Sequence, residues 1–307
     1  RNHIHHCTMG IWCDWEAQGT RLTQNLLHDN QRPAFAKQLK GGMMCQDIFV
    51  EVGHGPTLID NNILLSDASL RFATQGVAMV HNLICGALTC VDDGTGWRYT
   101  PYHMPHRTEV RGFMTILHGD DRFYNNIFVQ KWPSEDFITM HDSDDGFDSE
   151  NRKVGTWMFD EYPTYDEWIS QFDFTKPADM KKLEPVHFDH LPVWSEGNVY
   201  LNGAKAWKHE KNGLVSSENV KVELTEKDGK YILDTNIYEI LGDFSGRMIN
   251  TEVLGKAFEP EEFFENPDGT PITFDADYFG GHRGAKVIPG PFAAKEDAEK
   301  NVNICAF

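Results

Sequence analysis

Two carboxylates sit in matched apolar settings. Asp14 lies in Trp12-Cys13-Asp14-Trp15 and Glu51 in Phe49-Val50-Glu51-Val52. Asp14 precedes Asn25 by 11 residues, and Glu51 precedes Asn62 by 11, so both the acids and the asparagines are 37 apart. If the asparagines mark equivalent corners of stacked coils, the acids lie side by side at about the 4.8 Å spacing of neighbouring strands. A separation of about 5 Å suits a retaining glycosidase, in which one carboxylate attacks the sugar and the other protonates the leaving oxygen. An inverting enzyme needs roughly 6.5–9.5 Å, enough to admit a water. Two such charges cannot both ionise cheaply, so one carboxyl is expected to keep its proton and supply the acid. A plain pair of solvated surface acids is the competing reading.

The elements that must position these acids are visible as a repeat. Asn followed by two apolar residues recurs at Asn25-Leu26-Leu27, Asn62-Ile63-Leu64, Asn82-Leu83-Ile84, Asn126-Ile127-Phe128 and Asn198-Val199-Tyr200, with Asn2-His3-Ile4 a looser copy. The steps are 23, 37, 20, 44 and 72 residues. A period of 20–23 with short β-rich runs fits a right-handed parallel β-helix. On that count 37 is one coil plus a 14-residue excursion at 32–45, and 44 is two coils. Asn suits such corners because it tolerates the left-handed conformation and its amide can bond the next coil. Alternation places Ile11, Cys13 and Trp15 inward, with Trp12, Asp14 and Glu16 outward. It likewise places Ile48, Val50 and Val52 inward, with Asp47, Phe49 and Glu51 outward. Trp12 then lies over Phe49 and Asp14 over Glu51.

The fold class expected is all-β, with coils over 1–202 and an accessory antiparallel, sandwich-like region over 203–307. A second excursion spans 133–190, with a short helix near Thr164–Phe172. Val220–Leu224 and Tyr231–Thr235 flank the Glu226-Lys227-Asp228-Gly229 turn, a hairpin signature. Asn266-Pro267-Asp268-Gly269-Thr270-Pro271 reads as another tight turn.

Composition narrows the partners. A net charge of −19 disfavours nucleic acid and anionic membranes and says little against a neutral sugar. There is no apolar run long enough to span a bilayer. Six cysteines without paired spacing read as free thiols of a reducing, cytoplasmic compartment. The chain opens with Arg in mid-pattern, which reads as a stack whose N-terminal coils, and any signal peptide, lie outside it.

Other residues could serve the acids. His54 could bond a sugar hydroxyl or a catalytic carboxylate, or simply occupy a turn. Gln18 and Arg21 could keep Asp14 ionised. Arg71, also 11 residues before an asparagine, would stack one coil beyond Glu51. Trp12 and Phe49 offer faces for sugar, and His103 a pocket contact. His103, His106 and His118-Gly119-Asp120-Asp121 lack a zinc ligand set. The Asp142–Asp148 run lacks calcium-loop spacing. His3, His5 and His6 read as a coil corner. No metal and no cofactor is expected.

The stretches Ile11-Trp12-Cys13-Asp14-Trp15-Glu16-Ala17-Gln18-Gly19-Thr20-Arg21 and Asp47-Ile48-Phe49-Val50-Glu51-Val52-Gly53-His54-Gly55-Pro56, with Asp60-Asn61-Asn62-Ile63, resemble the catalytic stretch of glycoside hydrolase family 120. The likeness runs to Pro289-Gly290-Pro291. It implies a right-handed β-helix with a flanking β-sandwich and a retaining β-xylosidase. Asp14 matches the nucleophile and Glu51 the acid/base. The chain departs from the family in its 32–45 excess, in the missing N-terminal half, and after Ala293, so the implied activity is that of a longer parent. The expected reaction is release of xylose from xylo-oligosaccharides by double displacement. Another retaining exo-glycosidase, such as an α-L-arabinofuranosidase, and a non-catalytic sugar-binding β-helix remain alternatives. The oligomeric state is open.

Overall fold

The computed structural model describes residues 1–31, 33, 45–90, 99–131, 154–177, 179, 181–182 and 189–303. The expected excursion at 32–45 and the acidic run at 142–148 fall almost wholly outside them.

The coils supply strands to three parallel sheets, of four, five and seven strands. The first holds Met9–Cys13, Gln46–Glu51, Ala68–Ala73 and Ala87–Cys90. The second holds Thr20–Thr23, Thr57–Asp60, Val77–Val80, Asp121–Tyr124 and Val193–Glu196. The third begins at His3–His5 and Leu26–His28, passes through Ile63–Leu64, Leu83–Ile84, Ile127–Val129 and Val199–Leu201, and ends at Leu214–Ser216. The parallel pairing therefore continues past residue 202.

The Asn-apolar-apolar signature builds the third sheet. The second apolar residue of each copy (Leu27, Leu64, Ile84, Phe128 and Tyr200) enters the coil interior beside Ile48, Val50, Leu70 and Phe72. The first (Leu26, Ile63, Leu83, Ile127 and Val199) faces the opposite way, as the two-residue pleat requires. A strand apolar on both faces must be covered on both, and the C-terminal segment supplies the cover. Ile237, Tyr238, Leu241, Tyr278 and Phe292 pack on the third sheet's outer row. Ile249, Leu254, Phe264, Ile272 and Phe274 pack on Leu58, Ala78, Val80 and Tyr124 of the second.

The asparagines form one continuous ladder. Each Oδ1 accepts the backbone N–H and the Nδ2–H of the asparagine one coil earlier, from Asn2 through Asn25, Asn62, Asn82 and Asn126 to Asn198, at 2.8–3.0 Å. The last donors, on Asn198, meet the Glu210 carboxylate. Burial pushes that carboxyl's pKa up.

Several expectations are corrected. The left-handed corner residue is the one before each asparagine: Gln24, Asn61, His81, Asn125 and Gly197 all have positive φ. The 44-residue step is one coil, since Leu83 pairs directly with Ile127; its excess includes an antiparallel hairpin, Thr100–His103 with Val110–Met114. The 133–190 excursion is partly core, because Val154, Phe159 and Tyr162 plug the coil interior. Its helix forms at Tyr165–Ile169, capped by Thr164 and Glu167. Trp15 is exposed, because the first-sheet strand stops at Cys13 and a turn re-aims the chain. Asp47 and Phe49 have outward positions yet are buried. Asp47 accepts from Asn30 and Ser66, and burial raises its pKa to about 7. His3 and His5 lie in a strand, and only His6, with positive φ, makes the corner.

Among the described residues the C-terminal region forms no β-sandwich. It has the expected hairpin, Val222–Lys227 with Lys230–Thr235, turning on Asp228-Gly229 at positive φ. Beyond that come two short helices, Ile237–Leu241 and Thr251–Leu254, and isolated bridges. Its hydrophobic residues cover sheets instead of pairing as strands. The Asn266–Thr270 turn forms as expected, with the Gly269 N–H donating to the Asn266 carbonyl. Cys7, Cys13, Cys45, Cys85 and Cys90 are free thiols. No helix is long and apolar enough to cross a membrane.

Candidate active site

The two acids stand at the ends of adjacent first-sheet strands. The Met9–Cys13 and Gln46–Glu51 strands pair in parallel, with Trp12 opposite Phe49 and Cys13 opposite Val50. Asp14 and Glu51 are each the next residue after the Cys13–Val50 pair. The Trp12 and Phe49 rings stack at 5.7 Å between centroids and 21° between planes. The Trp12 indole N–H donates to Glu51 Oε2 at 3.0 Å, so the ring of one coil orients the carboxylate of the next. Asp14 accepts the Trp15 backbone N–H at 2.8 Å. Trp12 is 51% exposed, which leaves a ring face available beside the acids.

Arg71 lies elsewhere in the register. It pairs with Phe49, and Ala73 lies opposite Glu51. Six residues separate Glu51 from Thr57, but only four separate Ala73 from its counterpart Val77. Counting back from the asparagine therefore overshoots by two. The Arg71 guanidinium sits 5.5 Å from the Phe49 centroid, completing a Trp12–Phe49–Arg71 stack across three coils.

The remaining candidates have other partners. His54 is buried and its Nε2 donates to the Thr100 carbonyl at 3.1 Å. Its ring meets Tyr102 edge-on at 5.4 Å. Desolvation lowers its pKa to about 4, so it is a neutral anchor for the 100–114 hairpin. Arg21 forms a two-point pair with Asp60, at 2.8 and 2.9 Å, not with Asp14. Gln18 bonds the His103 backbone through both ends of its amide and also reaches Glu262.

His103 donates from Nε2 to Glu16 at 3.0 Å. Both line a cavity of about 950 Å³ with Gln18, His106, Thr108 and Glu262. This cavity starts two residues beyond Asp14, and neither Asp14 nor Glu51 lines it. Glu262 was missed in the sequence. It lies 244 residues from Gln18, on the C-terminal wrap, and no local spacing signals that approach.

The candidate metal ligands are dispersed. Asp120 pairs with Arg122 at 2.7 Å, Asp121 accepts the Val77 N–H, and His106 reaches Glu265. Among the described residues no group of three or more such side chains is arranged to hold an ion.

No family model and no curated protein matches the chain. A solved structure of XylC in complex with xylose does match. Its TM-score is 0.76 with 33% identity over 95% of this chain, which spans 40% of the length of that protein.

Proposed function

We propose that the coils form a right-handed parallel β-helix and that the chain carries the acid pair of a retaining glycosidase acting on xylo-oligosaccharides. The observation that supports this reading is the Trp12–Phe49 register, whose last pair, Cys13–Val50, immediately precedes both acids; neighbouring strands lie about 4.8 Å apart, the spacing a retaining pair needs. The likeness to a protein solved with xylose supports a pentose as the sugar. Asp14, with an exposed approach beside Trp12, attacks the anomeric carbon. Glu51, oriented by the Trp12 indole, protonates the departing oxygen and then deprotonates the incoming water. The exposed indole face stacks on the sugar ring whose glycosidic bond is broken.

A 2-deoxy-2-fluoro-β-xyloside with a good leaving group tests this by trapping the first half-reaction. Mass spectrometry should find the adduct on the Asp14 peptide and none in Asp14→Asn. An adduct on another residue would refute the assignment. A sugar-binding surface without catalysis is the second reading. It is favoured by the cavity of about 950 Å³ being lined by Glu16, His103 and Glu262 and by neither acid. Xylo-oligosaccharide binding unaffected by Asp14→Asn, with no adduct anywhere, would establish it instead.

A further inference from the structure

A second cavity, of about 360 Å³, opens over the last strands of the second sheet. Five separate segments build it: Tyr124, the Val193–Glu196 strand, the start of the Tyr165–Ile169 helix with its cap, the 207–211 run, and Arg247 and Val253 of the C-terminal wrap. We propose that this cavity binds a pyranose unit of a neutral glycan, apart from the acid pair. It shares no lining residue with the larger cavity.

The aromatic groups are arranged as a platform. Tyr165, 47% exposed, lies 6.2 Å from Trp194 with 26° between the rings. The Trp194 ring is held from beneath by the Arg122 guanidinium at 4.5 Å. Arg122 is itself buried and fixed by the Leu254 and Lys256 carbonyls and by Asp120. The platform is thus set before any ligand arrives. The C–H face of a sugar ring packs on such aromatic surfaces, and fixed rings lose little freedom on binding.

Polar groups border the platform. Both Nε and Nη2 of Arg247 converge on Glu196 Oε2, at 3.0 and 2.9 Å, and a sugar hydroxyl can donate to the carboxylate so held. Asp166 and Lys211 complete a lining with equal numbers of acids and cations, which suits a neutral polyol better than a polyanion. The wall also holds two unmet polar atoms. The indole nitrogen of Trp207 and Nε2 of His209 are buried without a hydrogen-bond partner, and the carboxylate of Glu167 stands 3.7 Å from the latter. The volume falls at the small end of the roughly 300–1,000 Å³ typical of ligand sites.

Calorimetric titration of the chain with xylotetraose tests the proposal. A binding component should survive Trp12→Ala, weaken at least about tenfold in Tyr165→Ala, and vanish in Trp194→Ala. Glu196→Gln should weaken it too, without touching the platform. Isotherms of Tyr165→Ala and Glu196→Gln that overlay the wild type, with circular dichroism unchanged, would overturn it. So would loss of all binding in Trp12→Ala, or a sugar-independent change in sedimentation coefficient in Tyr165→Ala, which would make this face a subunit contact. Because Trp12→Ala addresses only the acid-pair region, failure here and failure of the glycosidase reading give different results.

Discussion

The outer rows of the first and third sheets occupy the same pleat position in the same coils, yet they differ in chemistry. The third presents Leu26, Ile63, Leu83, Ile127 and Val199 and is sealed by the C-terminal wrap. The first presents Trp12, Phe49 and Arg71, with Asp14 and Glu51 at its end, and leaves Trp12 half exposed. An aliphatic row commits its face to packing. The mixed row is closed at Phe49 and Arg71, both buried, and is open at Trp12, next to the acids. On the proposed function, the acid pair works beside the part of these outer rows, at Trp12, that is left half exposed.

The contrast can be broken from either side. The largest effect is expected from Glu51→Gln and Asp14→Asn, each lowering aryl β-xyloside turnover by roughly 10²–10⁴-fold in steady-state kinetics. Their unfolding midpoints in urea should stay close to the wild-type value. On the sealed row, Ile63→Ala should cost about 2–5 kcal/mol by urea denaturation. Trp12→Ala, measured alongside, should cost far less stability while raising KM. Similar stability losses for the two would erase the distinction between the rows. Next comes the ladder. Asn82→Ala strands the backbone and side-chain donors of Asn62, at about 1–3 kcal/mol for each one left buried and unpaired.

The last effect concerns pH. His54 has its pKa lowered to about 4 when folded, against 6.5 unfolded. Its contribution is complete above pH 6.5. It is lost as the pH falls from 6.5 toward 4, because the unfolded chain then takes up a proton that the folded one refuses. The slope is at most about 1.4 kcal/mol per pH unit. The stability difference between wild type and His54→Gln should follow that slope, and a flat difference would mean that the ring is not held neutral.

The sequence carried what depends on local period. The Asn-apolar-apolar copies placed every rung of the ladder. The equal offsets of the two acids foretold the Trp12–Phe49 stack, because the same six-residue turn follows Asp14 and Glu51. Arg71 escaped the same logic because its turn is two residues shorter, a change that counting from the asparagine cannot detect. The 44-residue step reads as two coils because the excess that holds the hairpin is itself about one period long. The wrap reads as a sandwich because short apolar runs look alike whether they pair as strands or lie flat on a sheet. The approach of Glu262 to Gln18 depends on long-range packing that no local window contains.

The ladder has one further consequence. Every interior rung gives and receives the same two bonds, so rungs are interchangeable parts. Glu210 is the exception, since it takes the final donors and passes nothing on. Excising the turn between Asn62 and Asn82 in frame should let Asn62 hand its hydrogens to the following amide with no loss of pairing along the row. Lengthening beyond Asn198 would first require moving the carboxylate that ends it. In this molecule an interior turn can be edited out, while the terminus beside Glu210 is fixed by its chemistry.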